Sequence, residues 1–152
     1  MIRVLTHWND LDKVSRVMEN PDTFNVFSGQ LVDININGKI SALATDGTNP
    51  SNPVFLLNSV TDSEYESHDT AAGRVTTVEG NGVRITGDTD VVLAGTYNAG
   101  DELVADTTSD NNGKIKGVPG DPGTYTVVAK VISTEGDNVT FRTVEPYTVT
   151  VS

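Results

Sequence analysis

The chain of 152 residues carries 21 acidic and 10 basic side chains, a formal net charge of −11, and no cysteine. The missing cysteine excludes thiolate catalysis, cysteine-ligated zinc and iron–sulfur clusters. The acidic excess disfavours nucleic acid and anionic membranes as partners, and the length fits one domain with an ordinary hydrophobic core.

The N-terminal sequence MIRVLTHWND lacks the apolar core, roughly 7–15 residues long, that a secretory signal requires. No window of the chain reaches the roughly 18–20 apolar residues of a membrane span. We therefore expect a protein that is made and used without export, and without a membrane partner.

Residues 9–20, NDLDKVSRVMEN, predict a short helix. Asn9 can cap its first turn, and four apolar residues at helical spacing would form one face. Pro21 would end it. We expect residues 1–23 to form an N-terminal arm that contains this helix. The apolar residues are Leu11, Val14, Val17 and Met18.

Residues 24–152 predict a β domain with a polar loop near 58–72. Asn37-Gly38 and the segment 79–82 are typical of tight hairpins. Short strands between such turns favour a compact barrel or sandwich, so the predicted fold class is all-β with a short helical arm. The predicted strands are 24–27, 31–36, 39–44, 54–57, 73–78, 83–85, 90–94, 103–104, 125–132, 139–144 and 147–151.

One sequence phrase occurs twice. Gly29-Gln30-Leu31-Val32 is followed by Asn37-Gly38-Lys39-Ile40, and Gly100-Asp101-Glu102-Leu103-Val104 is followed by Asn112-Gly113-Lys114-Ile115. Each copy predicts a turn, a strand, a hairpin turn and a return strand. Two interpretations stay open: convergence on common turn chemistry, or two strand pairs placed equivalently in one barrel or in two related sheets.

The phrase, with its surroundings, resembles the head decoration (capsid cement) proteins of tailed phages. The matching stretches are Gly29–Val32, Asn37–Lys39, Ala42–Gly47, Gly100–Leu103, Gly113-Lys114, Tyr125–Ala129 and Gly136–Val139. The resemblance covers roughly residues 24–57 and 97–145. It implies a β-tulip or SH3-like decoration fold.

The resemblance also implies a function. The protein would be made in the bacterial cytoplasm and reside in the virion, on the outer capsid surface, where it would bind the major capsid protein and stabilise the shell. It would form a homotrimer. Trp8, Leu11, Val14 and Met18 are candidate contacts to the capsid or a neighbouring subunit; packing on their own barrel is the alternative.

Residue chemistry favours no enzyme, cofactor or metal site. Ser67-His68-Asp69 cannot form a catalytic triad, because neighbours on an extended segment point to alternate sides. Asp106 and Asp110 to Gly113 have the oxygen ligands that calcium prefers, but their spacing does not fit an EF-hand. Two interpretations stay open: a solvated hairpin loop, which we expect, and a calcium site of another kind built from loop carboxylates. An alternative function is a carbohydrate- or receptor-binding module of a fibre or adhesin, with Tyr97 or Tyr125 beneath the ligand.

Overall fold

The computed structural model describes residues 2–6, 12–19, 27, 29–56 and 74–152. Within them the chain forms eleven strands and no helix. The strands are β1 (Ile2–Val4), β2 (Asp12–Val17), β3 (Leu31–Ile34), β4 (Ile40–Ser41), β5 (Pro53–Leu56), β6 (Arg74–Glu79), β7 (Arg84–Gly87), β8 (Glu102–Ala105), β9 (Ile115–Gly117), β10 (Gly123–Glu135) and β11 (Asn138–Val151). The all-β prediction is confirmed.

The strands form two antiparallel sheets. The first has the order β2-β6-β5-β3-β4 and is a nearly closed barrel. A parallel bridge from Met18 to Ile40 joins its two edges, and the Glu19 amide donates to the Ile40 carbonyl at 2.9 Å. The second sheet has six strands in the order β1-β7-β11-β10-β8-β9.

The barrel is filled by one face of its strands. Alternate residues of a strand point to opposite faces, so Val54 and Leu56 point inward while Phe55 between them points outward. The barrel core consists of Met18, Val32, Ile34, Ile40, Val54, Leu56 and Val75.

The outer face of the barrel packs against the second sheet. Leu31, Phe55 and Val78 lie in one row across β3, β5 and β6, and all three belong to the larger core between the sheets. The rings of Phe55 and Phe141 meet at 5.6 Å between centroids. One continuous core therefore joins the barrel to the six-stranded sheet.

The two sheets share one topology. We call β2–β6 the first unit and β7–β11 the second unit. In each unit the strands lie side by side in the order first, fifth, fourth, second, third. The parallel bridge also recurs: Val92 pairs with Ile115, and the Leu93 amide donates to the Ile115 carbonyl at 2.9 Å. Strand β1 adds to β7 and lies outside this repeat.

The repeated phrase marks equivalent positions in the two units. Gly29 donates its amide to the Leu56 carbonyl, and Gly100 donates to Val131, at 2.9 and 2.8 Å. In the return bonds, Leu56 donates to the Gln30 carbonyl and Val131 to the Asp101 carbonyl, at 2.8 and 2.9 Å. The structure thus supports the second interpretation, equivalent strand pairs in two related sheets.

The helix predicted at 9–20 is wrong for residues 12–17. These form β2, which pairs with β6 along its whole length, from Asp12–Glu79 to Val17–Arg74. Val14 and Arg16 are half-buried while Ser15 and Val17 are exposed, which is the alternation of a strand. A helix this short has little stability of its own, so pairing with β6 decides the conformation. Residues 9–11 and 20 lie outside the described residues.

The remaining predictions have mixed outcomes. Segment 79–82 is no hairpin, because β6 and β7 belong to different sheets. Thr143 holds this crossover: its amide donates to the Val83 carbonyl at 2.9 Å and its hydroxyl to the Gly80 carbonyl at 3.1 Å. Segment 90–94 contributes only the bridge at Val92, and 139–144 and 147–151 form one strand.

Some expectations stay predictions. The polar loop at 58–72 and residues 24–26 lie outside the described residues. The division into an arm at 1–23 and a β domain at 24–152 is not decided by the structure, although β1 and β2 are each paired into one of the two sheets.

Candidate functional site

The four predicted contact residues are only partly described. Trp8 and Leu11 lie outside the described residues. Val14 is half-buried on β2, and Met18 is 3% exposed and belongs to the barrel core. For Met18, packing on its own barrel is what the single chain shows. The contact role of the four residues stays a prediction.

The first copy of the phrase forms a hairpin with an exposed tip between β3 and β4. Ile36 is 99% exposed there, the highest value among the large hydrophobic residues described as exposed. An isolated exposed apolar residue is common on protein surfaces. Ile36 differs from such a residue because hydrogen bonds from Asn35 and Arg16 hold the turn on which it lies.

The Asn35 side chain fixes the turn from within. Its oxygen accepts the amides of Asn37 and Lys39 at 2.9 and 3.1 Å, and its carbonyl accepts the Gly38 amide at 2.9 Å. Gly38 has φ +74°, the left-handed conformation that ends this type of three-residue hairpin loop. The sequence predicted a turn here, but it predicted Ile36 as the last strand residue.

Arg16 fixes the tip from outside. Its Nη1 donates to the Gly38 carbonyl at 3.3 Å, and its Nε donates to Glu79 Oε1 at 2.5 Å. The Thr77 hydroxyl donates to the same carboxylate oxygen at 3.0 Å. Both charged side chains are largely buried, which strengthens the ion pair. The hairpin tip is therefore tied to β2 and, through Glu79, to β6.

In the loop considered for calcium, Asp106 is engaged by neighbouring residues. The Asp106 carboxylate accepts from the Thr108 amide at 2.8 Å and from Lys116 Nζ at 3.0 Å. Burial raises the pKa of Asp106, but the Thr108 bonds and the Lys116 ammonium outweigh it, so the pKa lies below its usual value. Among the described residues no group of three acidic, His or Cys side chains could hold a metal ion.

The same loop docks the second copy of the phrase on the first. Asn112 Nδ2 donates to the Leu43 carbonyl at 2.8 Å, and the Leu31 amide donates to the Gly113 carbonyl at 2.8 Å. A Cβ on Gly113 would lie 2.5 Å from Gln30 Cγ. The phrase is therefore a structural joint between the units at this point.

The residues considered for other chemistry are placed as follows. His68 lies outside the described residues. Tyr97 lines an open cleft of about 580 Å³ with Asp101, Glu102 and Lys116, and its hydroxyl donates to the Leu93 carbonyl at 2.6 Å. The Tyr125 hydroxyl donates to the Asp121 carbonyl at 2.9 Å. A carbohydrate beneath either ring stays a hypothesis.

In comparisons with known proteins, no family model, no curated protein and no solved structure matches this chain. The part of the chain that the structure describes contains no helix long and apolar enough to cross a membrane.

Proposed function

We propose that this protein is a virion structural protein that binds the outer surface of a phage capsid and stabilises the shell. The observation that carries the proposal is the fixed hairpin tip that presents Ile36. The tip is built from the phrase on which the resemblance to decoration proteins rests. Its partner would be the major capsid protein, in a virion assembled in the bacterial cytoplasm.

The geometry of the tip suits a contact between rigid bodies. Asn35 and Arg16 hold the turn before any partner arrives, so binding orders little additional backbone. Burying one isoleucine side chain contributes roughly 1.5–3 kcal/mol. That is weak for one copy, but copies joined in an oligomer bind together, and their combined affinity can exceed that of one copy by about 10²–10⁴.

The distribution of charge also suits a surface protein. A chain with net charge −11 stays dispersed at high local concentration and repels the nucleic acid packed within a capsid. As a homotrimer, it would present three hairpin tips to a three-fold position of the shell.

The test is co-sedimentation of the purified protein with capsids assembled without it. Substituting Ile36→Thr keeps a β-branched residue in the turn and removes apolar area. We expect at least ~10-fold weaker capsid binding, since about 1.4 kcal/mol corresponds to a factor of ten. Val17→Thr, a similar exchange at a 37% exposed position of β2, is the matched control.

One result would contradict the proposed function, and another would contradict the hairpin tip as the contact. If wild-type protein does not sediment with capsids at any concentration tested, the function is wrong. If wild type binds and the Ile36 variant binds equally well, the function stands and the hairpin tip is not the contact.

A further inference from the structure

The outer faces of the two units differ in chemistry at equivalent positions. In the first unit, Leu31, Phe55 and Val78 form a row of cross-strand partners that is buried against the second sheet. The equivalent row of the second unit runs through Glu102, Lys130 and Arg142. The second unit thus has a charged row where the first unit has an apolar one. The charged row lies on the face of the six-stranded sheet that points away from the core between the sheets.

The charged row continues across the sheet toward β1. Arg84 is the cross-strand partner of Arg142, so Arg84, Arg142 and Lys130 lie side by side on β7, β11 and β10. Arg3 lies on the same face, opposite Thr86, and is exposed. We call Arg3, Arg84, Lys130 and Arg142 the basic face. It holds four of the ten basic residues of the chain.

This arrangement is unfavourable for the isolated chain. Directly opposite side chains on paired strands have Cβ atoms only about 4.5–5.5 Å apart, and like charges there destabilise the pair. Arg3, Arg84 and Arg142 are exposed, and among the described residues none forms an ion pair within 4.0 Å. The described chain thus holds these cations together without neutralising them.

The one acidic member of the row is already engaged. Glu102 accepts a hydrogen bond from the Tyr147 hydroxyl, and Lys130 Nζ lies 5.7 Å from the centre of the Tyr147 ring. Burial, together with the hydrogen bond to Glu102 and its charge, raises the pKa of Tyr147 to about 12, so the hydroxyl keeps its proton at neutral pH. Glu102 lies directly opposite Lys130, two strands from Arg142 and three from Arg84, so it does little to offset the charge of the two arginines.

We propose that the basic face binds carboxylates of a second copy of this chain. Four of the ten cations lie on this face, so the rest of the chain carries −11 − 4 = −15. Every copy therefore brings a strongly acidic surface outside its own basic face. At physiological salt the Debye length is about 8 Å, so repulsion between whole copies is screened more than contacts at short range.

The turn between β10 and β11 is the acidic surface best placed to enter such a contact. Glu135 and Asp137 are both exposed and flank Gly136 at the end of the longest hairpin of the molecule. Planar guanidinium groups, as on Arg84 and Arg142, bind carboxylates through two parallel hydrogen bonds. Leu5, 44% exposed beside Arg84, adds apolar area at the edge of the face.

A contact between two different patches has a symmetry consequence. Such a heterologous interface closes into a ring when the rotation allows it, whereas a two-fold dimer needs the same patch on both copies. The inference rests on the homotrimer component of the proposed function. It is tested without capsids, so its failure is distinguishable from failure of capsid binding.

The test is native mass by light scattering over a series of salt concentrations. At about 0.15 M salt, where repulsion between whole copies is screened, we expect the mass of wild type to exceed the 16.2 kDa of one chain by a whole multiple, three for a trimer. The mass should fall back to that of one chain at about 1 M salt, where the charged contacts are screened as well. Arg142→Glu should weaken association at least ~10-fold, because removing one partner of a hydrogen-bonded charge pair at an interface lowers the affinity by more than a factor of ten. Lys39→Glu, the same charge change at another exposed position, is the control.

The Arg142→Glu variant separates binding from folding. It places a carboxylate between Arg84 and Lys130. At a protein concentration low enough for wild type to be a single chain as well, the melting temperature of the variant should therefore equal or exceed that of wild type. Adding Glu135→Arg and Asp137→Arg to a variant with Arg84→Glu and Arg142→Glu should restore association. A wild type of 16.2 kDa at every salt concentration, or an Arg142→Glu variant that associates like wild type, would overturn the proposal. Failure of the combined variant to associate would overturn the assignment of the turn.

Discussion

Replacing Phe55 by alanine tests the joint between the two units. Phe55 is 3% exposed and packs on Phe141 with 5.6 Å between ring centroids. Its strand neighbours Val54 and Leu56 point to the barrel core, so the substitution opens a cavity in the inter-unit core and leaves the barrel core filled.

The expected cost follows from the burial and the ring contact. Truncating a buried phenylalanine to alanine lowers the free energy of unfolding by roughly 3–5 kcal/mol, and an aromatic pair accounts for about 0.5–1.5 kcal/mol of it. Phe141→Ala should cost a similar amount. The double variant should cost less than the sum of the single variants, by about 1 kcal/mol, because both remove the same contact.

Urea denaturation followed by circular dichroism in the far and the near ultraviolet measures these values. Because one core joins the units, we expect one transition for both probes in wild type. A Phe55→Ala variant that loses less than about 1 kcal/mol would refute the packing of this face, since a well-packed ring cannot be removed so cheaply. Strictly additive costs in the double variant would refute the contact with Phe141.

Two further predictions test the phrase and its loop. Gly113→Ala should destabilise the protein more than Gly47→Ala: both glycines have positive φ, +89° and +87°, but only Gly113 would place a Cβ against Gln30 and Leu31. The strain common to both is roughly 1–2 kcal/mol, so equal melting temperatures for the two variants would contradict the close approach. Asp106→Asn should lower stability at pH 7, and this difference should vanish in acid. The folded pKa of Asp106 lies below the ordinary 3.8, so its contribution is complete above that pH and is lost as the pH falls through the folded pKa. Thermal melting of wild type and of the Asp106→Asn variant at neutral and acid pH measures this difference in stability. A difference in melting temperature that is equal at the two pH values would contradict the ion pair between Asp106 and Lys116.

The positions of several strands could be predicted from the sequence. Alternation and turn residues located β3, β5 and β10 to within a few residues, because half-buried strands need alternate apolar residues. The sequence left two interpretations of the repeated phrase open, and the structure supports the one with two equivalent strand pairs. Gly38 and Gly113 hold the same left-handed conformation in turns that precede equivalent isoleucines.

Long-range pairing was beyond what the sequence could predict. Residues 12–17 fit a helix and a strand almost equally, and only β6, more than fifty residues later in the chain, selects the strand. The crossover at 79–82 has the composition of a hairpin turn, and Thr143 of β11 determines its path instead. The basic face was likewise invisible, because Arg3, Arg84, Lys130 and Arg142 are brought together only by the order of the strands.

The pairing of β1 with β7 also sets an order of events during synthesis. Ile2 pairs with Gly87 and Val4 with Ile85. By contrast, β10 and β11 are joined by a short turn between Glu135 and Asn138. Contacts between distant segments form slowly because a long loop must close first. Strand β1 therefore leaves the ribosome well before β7 and waits, unpaired, for it, while β10 and β11 can pair as soon as both have emerged.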